Sequence, residues 1–474
     1  MSQTGSLMSG GLMTFVHRRR RGAELFLLVL ALAVGIGAYA AVGLGLEGEV
    51  PADIVGYGGW LTALIVAAHV TVRVVAPYAD PVLLPLVAAL NGLGLAVLRR
   101  LDITYEALGF DQHTFARQQL TWMTVGVVLF IITLVVLRDH RVLQRFTYTA
   151  GLVGIVLLIL PFLPVIGREI NGARIWINVA GFSFQPGEVA KVMLVIAFSG
   201  YLVLHRDALA LAGRRVVFVD LPRGRDLGPI LAMFGVSMMI LVLQNDLGSS
   251  LLFFGLFLAM LYVATERPGW LVVGAGLFAA GALAAYTFVG NVQNRFNFWL
   301  NPMDYYDVTP GSYQLVEALF GMGWGGLIGR GLGNGFPERV PFAYSDFILS
   351  TIGEELGLTA VMAIVVCYGL IVERALRIAL ISRDGFGKLM AVGLGAIVAL
   401  QVFVVIGGVT GLIPLTGLTT PFLSYGGSSL VANWVVIALL LRISDQARRP
   451  APRMDPVADE AEADSEHTQV VKLK

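Results

Sequence analysis

Apolar runs of membrane-spanning length recur along the chain at 24–46, 55–76, 82–98, 118–137, 144–166, 187–205, 228–243, 247–264, 270–289, 346–372, 389–410 and 427–441. A helix rises about 1.5 Å per residue, so roughly 20 apolar residues cross the hydrocarbon core, and shorter runs suffice where flanking side chains snorkel. The pattern predicts an all-α polytopic membrane protein with about twelve transmembrane helices. One interval breaks the rhythm. Residues 301–347, between the ninth and tenth runs, hold carboxylates, aromatics and a run of glycines. A connection of this length without obvious regular structure is functional or disordered, and its Tyr, Trp and Phe content argues against disorder.

Composition agrees. Of 474 residues, 57% are hydrophobic and 14% charged, with a mean hydropathy of +0.77, which excludes a water-soluble globule around one core. The lone cysteine, Cys367, lies in an apolar run, and the six histidines are scattered. Disulfide frameworks and zinc chemistry are therefore not expected. The basic stretch before the first run resembles a signal peptide, but the run is long and lacks a convincing cleavage site, so it reads as a retained helix. With the N-terminus inside, alternating inner segments carry 24 Lys and Arg, outer segments 8, and Lys191 lies within a helix. That bias places both termini in the cytoplasm and the 301–347 segment outside.

The expected organisation is a cytoplasmic N-terminus at 1–22, two additional helices within 23–81, a membrane core at 82–445 and an extracytoplasmic loop at 290–345. A disordered cytoplasmic tail follows at 446–474, charged and rich in Pro, Ala and acidic residues. The basic 206–227 interval reads as a topology determinant resting on anionic lipid, with a regulatory site as the other possibility. No fixed-period repeat, P-loop or GxGxxG is present. No large single-sign field draws in a polyanion, so nucleic acid is not an expected partner.

Ionisable groups in spanning segments mark internal pairing or a functional cavity, and here they concentrate at outer helix ends. Gln185-Pro186-Gly187-Glu188 opens the sixth run, with Lys191 one turn deeper. Glu188 and Lys191 share a helical face and either neutralise each other or meet substrate. Arg174 and Trp176 in the preceding outer loop add an anion-binding cation and an interfacial aromatic. Asp246, in QNDLGSS, and Asp346, in SDFILS, stand where N-caps are needed. Glu354 and Glu355 would lie on the order of 12 Å into the tenth run and need partners or water. PLTGLTTPFLSYGGSS at 414–429, which includes Ser424, breaks the helical period as a cavity-lining re-entrant segment or a plain turn would. In the long loop, Asp304 and Asp307 stand among Tyr305, Tyr306 and Tyr313, an environment that can hold a sugar face and raise a carboxylate pKa; the plainer reading of a lone loop Asp is a turn former.

QPGEVAKV at 185–192, QNDLGSSLL at 244–252, NP…D…GSYQ at 301–314, SDFILSTIGEELGL at 345–358 and PLTGLTTPFLSYGGSS occur in the order and spacing of the SEDS proteins (shape, elongation, division and sporulation). From about residue 82 to 445 the chain resembles this RodA/FtsW family. The RLD after the third run and the two extra N-terminal helices resemble its actinobacterial RodA type. The resemblance implies a ten-helix core and a peptidoglycan glycosyltransferase that polymerises lipid II at the outer face of a bacterial cytoplasmic membrane during elongation. The implied partner is a class B penicillin-binding protein. It also implies an essential aspartate in the large outer loop. This chain carries two extra residues there, with Val308 and Ser312 replacing the family's Pro and Gly. Counting back from Tyr313 selects Asp307; counting forward from Asn301 falls between Asp304 and Tyr305.

Asp307, or alternatively Asp304, would be the general base for an inverting transfer with undecaprenyl pyrophosphate leaving. Gln185, Glu188, Lys191, Asp246, Asp346, Glu354, Glu355, Ser424, Arg174 and Trp176 are candidate substrate contacts. Arg174, Lys191 or a divalent cation, Mg or Mn, would offset the pyrophosphate charge. A lipid II flippase and an FtsW-like division role are the alternative readings.

Overall fold

The computed structural model describes residues 21–450 except 110–113, 171, 180, 207–213, 217–218 and 222–223. Fifteen α-helices run through the described residues: α1 (Arg21–Leu46), α2 (Ile54–Val75), α3 (Leu83–Ala107), α4 (Phe115–Val136), α5 (Thr147–Ile159), α6 (Pro186–Leu204), α7 (Gly224–Leu243), α8 (Leu247–Thr265), α9 (Gly269–Phe288), α10 (Gly290–Leu300), α11 (Tyr313–Gly325), α12 (Ile348–Glu355), α13 (Gly357–Ile381), α14 (Gly385–Val409) and α15 (Gly427–Arg448). Three short antiparallel strands, β1 (Gly167–Ile170), β2 (Ala173–Val179) and β3 (Phe182–Phe184), form a small sheet between α5 and α6. A second pair, β4 (Arg214–Val216) and β5 (Val219–Leu221), precedes α7.

Ten helical segments are long and apolar enough to cross a membrane, and each falls on an expected run. The other two runs differ. The apolar part of α7 is Leu231–Leu243. The expected 346–372 helix is broken at Leu356, where Gly357 takes φ +78°, into the eight-residue α12 and the longer α13. Glu354 and Glu355 therefore end a short helix instead of lying deep in a long one. The 301–347 interval also departs from expectation. It contains α11 and 3-10 turns at Pro302–Tyr305 and Pro337–Arg339. At the C-terminus, α15 continues to Arg448, past the expected core boundary at 445; residues 451–474 and most of 1–22 lie outside the described residues, as does much of 206–227.

Alpha-15 is sheathed by protein along almost its whole length and α3 nearly as completely, whereas α9 buries only Trp270 and Gly274. The core therefore centres on α3, α6, α14 and α15, with α9 at the lipid-facing edge. Close helix approach depends on small residues, as is usual where water does not drive association. A Cβ added to Gly35 of α1 would lie 2.8 Å from the Gly92 Cα of α3, so neither position tolerates a side chain without the helices moving apart.

Buried ionic groups occur at both ends of the bundle, not mainly at the outer helix ends. At the end holding the start of α1 and the close of α15, Glu24 meets Arg21 and, at 2.9 Å, His69. There too Asp80 meets Arg448, Asp445 meets Arg449 at 2.8 Å, and His140 lies 3.1 Å from Asp384. The opposite end carries the 301–347 segment and the remaining candidate residues. Between the two, α15 reads Trp434–Leu441 without a polar side chain except the indole.

Candidate functional site

Pro186 occupies the first turn of α6, where its missing N–H costs no helical bond. Glu188 and Lys191 then fall on one face, buried, with carboxylate and ammonium 2.6 Å apart. Lys191 Nζ also donates to Gln401 Oε1 of α14 at 2.8 Å, and Gln401 Nε2 donates to the Thr419 carbonyl at 2.8 Å. The backbone N–H of Gln185 donates to Ser428 Oγ at the start of α15, 2.9 Å away. Four elements thus meet around one ion pair. Gln401 escaped the sequence reading, although a lone amide in the apolar run AIVALQVFVV was its signal.

Asp246 caps α8, accepting the Ser249 N–H at 2.9 Å, as the capping reading expects. It also shares a charge neighbourhood with Arg295 of α10, which in turn feels Asp346. Asp346 does not cap α12, whose N-cap is Phe347. Burial pushes the Asp246 carboxyl above the usual carboxylate range against the Ser249 hydrogen bonds and Arg295. Burial likewise moves Asp346 up to about 6 against Ser345 and Arg295. Arg295 is pulled down by burial and held up by the two aspartates. Its Nη1 donates to the Leu415 carbonyl at 2.9 Å, and Trp299 Nε1 donates to Gly411 at 2.7 Å. These bonds clip α10 to the irregular 411–426 segment. Arg295 was not among the sequence candidates; it is the one cation of the amphipathic stretch NVQNRFNFWL.

Thr420, Phe422, Leu423 and Ser424 are buried, so the 420–424 backbone lies inside protein, where non-helical structure is tolerated at membrane depth. Ser424 Oγ accepts the Thr420 N–H at 2.9 Å and donates to the Ser345 carbonyl at 2.6 Å. It joins this segment to the residue before Asp346. Glu354 and Glu355 form a separate locus. Glu355 Oε1 lies 2.6 Å from Arg100 Nε of α3, and Arg100 Nη2 donates to the Gly335 carbonyl at 2.8 Å. Glu354 accepts the Phe336 N–H at 2.8 Å. Both carboxylates, for which partners or water were expected, fasten the 335–336 backbone. Arg174 stands exposed on β2, paired with Glu169 at 3.3 Å, and Trp176 faces Arg168 across the strand pair.

The long loop begins six residues beyond Arg295. Its Pro302–Tyr305 turn is tied down where the Ser312 N–H donates to Tyr305 O at 3.0 Å and Ser312 Oγ donates to the Pro302 carbonyl. Gly311 is required inside this closed turn, because a Cβ there would meet Val308 O at 2.1 Å and Tyr305 O at 2.2 Å. Asp304 and Asp307 are both exposed. Beside Asp307, Tyr306 donates to Glu317 Oε1 of α11 at 2.6 Å. That bond, with burial and nearby Glu317, Tyr313 and Asp307 adding to it, pushes the Tyr306 phenol up to about 12. Among the described residues no three His, Cys, Asp or Glu side chains gather as a metal site. A cation here would need oxygen ligands from elsewhere, as Mg²⁺ commonly takes from phosphates.

The FtsW/RodA/SpoVE family, described as cell cycle proteins, matches residues 81–449. Peptidoglycan glycosyltransferase RodA of Mycobacterium tuberculosis is 48% identical over 91% of this chain and 92% of its own, and that of Mycobacterium leprae 46% over the same shares. A probable peptidoglycan glycosyltransferase FtsW of Geobacter metallireducens is 32% identical over 78% of this chain and 95% of its own. A solved chain from work on a peptidoglycan synthase complex that coordinates polymerization and crosslinking superposes with a TM-score of 0.62 at 26% identity. It covers 78% of this chain and 99% of its own. A Thermus thermophilus rod-shape-determining RodA variant superposes at 0.56 and 25% identity over the same shares. With the motifs, the helical bundle and these matches in agreement, the chain belongs to the SEDS family of RodA/FtsW proteins, multi-pass proteins of bacterial membranes.

Proposed function

We propose that the chain, a peptidoglycan glycosyltransferase, polymerises lipid II at the outer face of the cytoplasmic membrane during wall elongation, with Asp307 as general base. Both termini face the cytoplasm on this reading. A class B penicillin-binding protein cross-links the product; the likeness to a chain of a peptidoglycan synthase complex supports such a partner. The observation that carries the proposal is the charge cluster at the loop-bearing end. Lys191 with Glu188, Asp246, Arg295 and Asp346 cluster where the loop begins, and along α15 the apolar Trp434–Leu441 stretch separates that end from the ionic groups at the other. A polymerase needs one such face, whereas alternating access needs a site near the midplane.

In the reaction the acceptor sugar hydroxyl attacks the anomeric carbon of the donor. The new glycosidic C–O bond forms as the bond to pyrophosphate breaks, with inversion, and the hydroxyl proton passes to Asp307. A positioned carboxylate typically contributes about 10²–10⁴-fold. Lys191, paired with Glu188, and Arg295, which feels the charges of Asp246 and Asp346 and is held by the Leu415 carbonyl, face the charge that grows on the leaving pyrophosphate. A divalent cation, Mg or Mn, would neutralise that charge when bound beside the pyrophosphate; no protein-only cage for it exists among the described residues. The closed turn between Tyr305 and Ser312 supports Asp307 over Asp304, because it fixes the spacing back from Tyr313. Gln185, Glu188, Asp246, Asp346 and Ser424 hold the walls of the site, Glu354 and Glu355 fasten the 335–336 stretch of the loop, and Arg174 and Trp176 stand on the β hairpin whose Arg174 N–H meets Gln244.

The test supplies lipid II to the protein purified with its transpeptidase partner and free of other glycosyltransferases. Wild type should make glycan strands, and Asp307→Asn should not. Scrambling of lipid II between leaflets without polymer would instead support a flippase. Rescue of septation but not of elongation in a depleted strain would support a division role.

A further inference from the structure

The family match begins at residue 81, which leaves α1 and α2 outside it, yet α1 reaches the long loop. A Cβ on Gly45, in the last turn of α1, would lie 2.0 Å from the Leu332 carbonyl oxygen. A Cβ on Gly333 would lie 3.0 Å from both the Gly45 carbonyl carbon and Leu46 Cγ. The two backbones touch, and only glycine permits it. The loop stretch in contact is held from its other side. Arg330 and Gly331 donate their N–H groups to the Glu354 and Glu355 carbonyls at 3.1 and 2.8 Å. The Glu355 carboxylate and Arg100 hold Gly335.

Alpha-1 is itself fixed on the core. Gly35 crosses Gly92 of α3 at backbone distance. Tyr39 stacks on Tyr57 with ring centroids 3.8 Å apart and donates to Asp53 Oδ2 at 2.8 Å. Arg99 lies against Tyr39, one residue before Arg100. Adjacent arginines of α3 therefore address the N-terminal pair and the loop clamp.

We propose that the N-terminal helix pair is a buttress that sets the position of the 329–336 loop backbone, with Gly45 as its contact point and Tyr39 and Arg99 as positioning residues for glycan polymerisation. The rival is a plain additional anchor whose contact with the loop has no consequence. A buttress that misplaces catalytic walls lowers turnover, because even about 1 Å of displacement can cost up to 10²-fold in rate.

Hydrogen–deuterium exchange and lipid II polymerisation are compared for the full-length protein with Gly45→Val and Gly37→Val. Gly37 lies on the same helix with no neighbour within 4 Å. Gly45→Val should speed exchange of the 329–336 amides by about tenfold and lower kcat about fivefold at little-changed KM. Gly37→Val should change neither. Tyr39→Phe, which adds no bulk, should move both readouts in the same direction by a smaller amount, and it decides the matter if Gly45→Val does not fold. Unchanged loop exchange in folded Gly45→Val, altered exchange with unchanged kcat, or an equal effect of Gly37→Val would each overturn the buttress. Absence of polymer from wild type would count against the functional reading instead, and the exchange data would still decide this one.

Discussion

Lys191 of α6 donates to Gln401 of α14 at 2.8 Å while its ammonium stays 2.6 Å from Glu188. Since all three side chains are buried, Lys191→Met strands an uncompensated carboxylate, and breaking such a pair costs about 3–5 kcal/mol. The double variant Glu188→Gln/Lys191→Met should recover most of that stability, because removing both charges together is nearly neutral. On the proposed mechanism it should not recover polymerisation. Thermal unfolding in detergent alongside a lipid II assay separates the two effects; full activity in the double variant would reduce Lys191 to a structural role.

Arg100 and Glu355 make the corresponding test at the loop clamp. Their 2.6 Å contact is buried, and Arg100 also holds Gly335. Arg100→Ala should cost about 3–5 kcal/mol, more than Glu354→Gln, whose lost acceptor charge serves one Phe336 N–H. Proteolysis within 326–340 should accelerate in Arg100→Ala. Equal stability of the two variants would show that the clamp does not depend on the ion pair.

Much of this arrangement was legible in the chain. Runs of about 20 apolar residues located all ten long spans, since length and hydropathy suffice for a helix in lipid. The i, i+3 spacing of Glu188 and Lys191 offers an ion pair as one of two readings, and the position of Asp246 before a helix suggests a cap. The break at Leu356 is not legible in the sequence, because Gly357 ends the helix through its positive φ while Gly353 and Gly369 in the same run take no positive φ, and residue type does not tell them apart. Arg295 and Gln401 were missed for a related reason. Their partners, Asp346 and Lys191, lie far away in sequence, and spacing rules report only neighbours within about one helical turn.

Asp346 makes stability depend on pH. Its folded pKa is raised from 3.8 to about 6, chiefly by burial, so the folded state holds a proton that the unfolded chain has already released between those values. Its contribution to stability is therefore fully present below about 4 and is lost as pH rises through about 6. Asp346→Asn should flatten the pH dependence of thermal stability in that window. Arg295→Met removes the cation that favours the ionised form, so it should move the transition to higher pH. A downward move would contradict the placement of Arg295 beside Asp346.

Asp304 and Asp307 are three residues apart on an exposed turn, and the reaction distinguishes them more sharply than sequence spacing does. If Asp307 takes the proton, Asp307→Asn should lower kcat by about 10²–10⁴-fold with lipid II binding retained. Asp304→Asn, at the edge of the Pro302–Tyr305 turn, should cost less than about tenfold by the same scale. Gly311→Ala then tests why Asp307 is placed as it is. Its Cβ would collide with the Val308 and Tyr305 carbonyls, opening the turn that Ser312 closes, so it should lower kcat nearly as far as Asp307→Asn while leaving the carboxylate intact. Tyr306→Phe loses only the bond to Glu317 and should fall between wild type and Gly311→Ala. A Gly311→Ala protein with wild-type kcat would mean that the turn does not position the base, and an Asp304→Asn defect deeper than that of Asp307→Asn would move the base to Asp304.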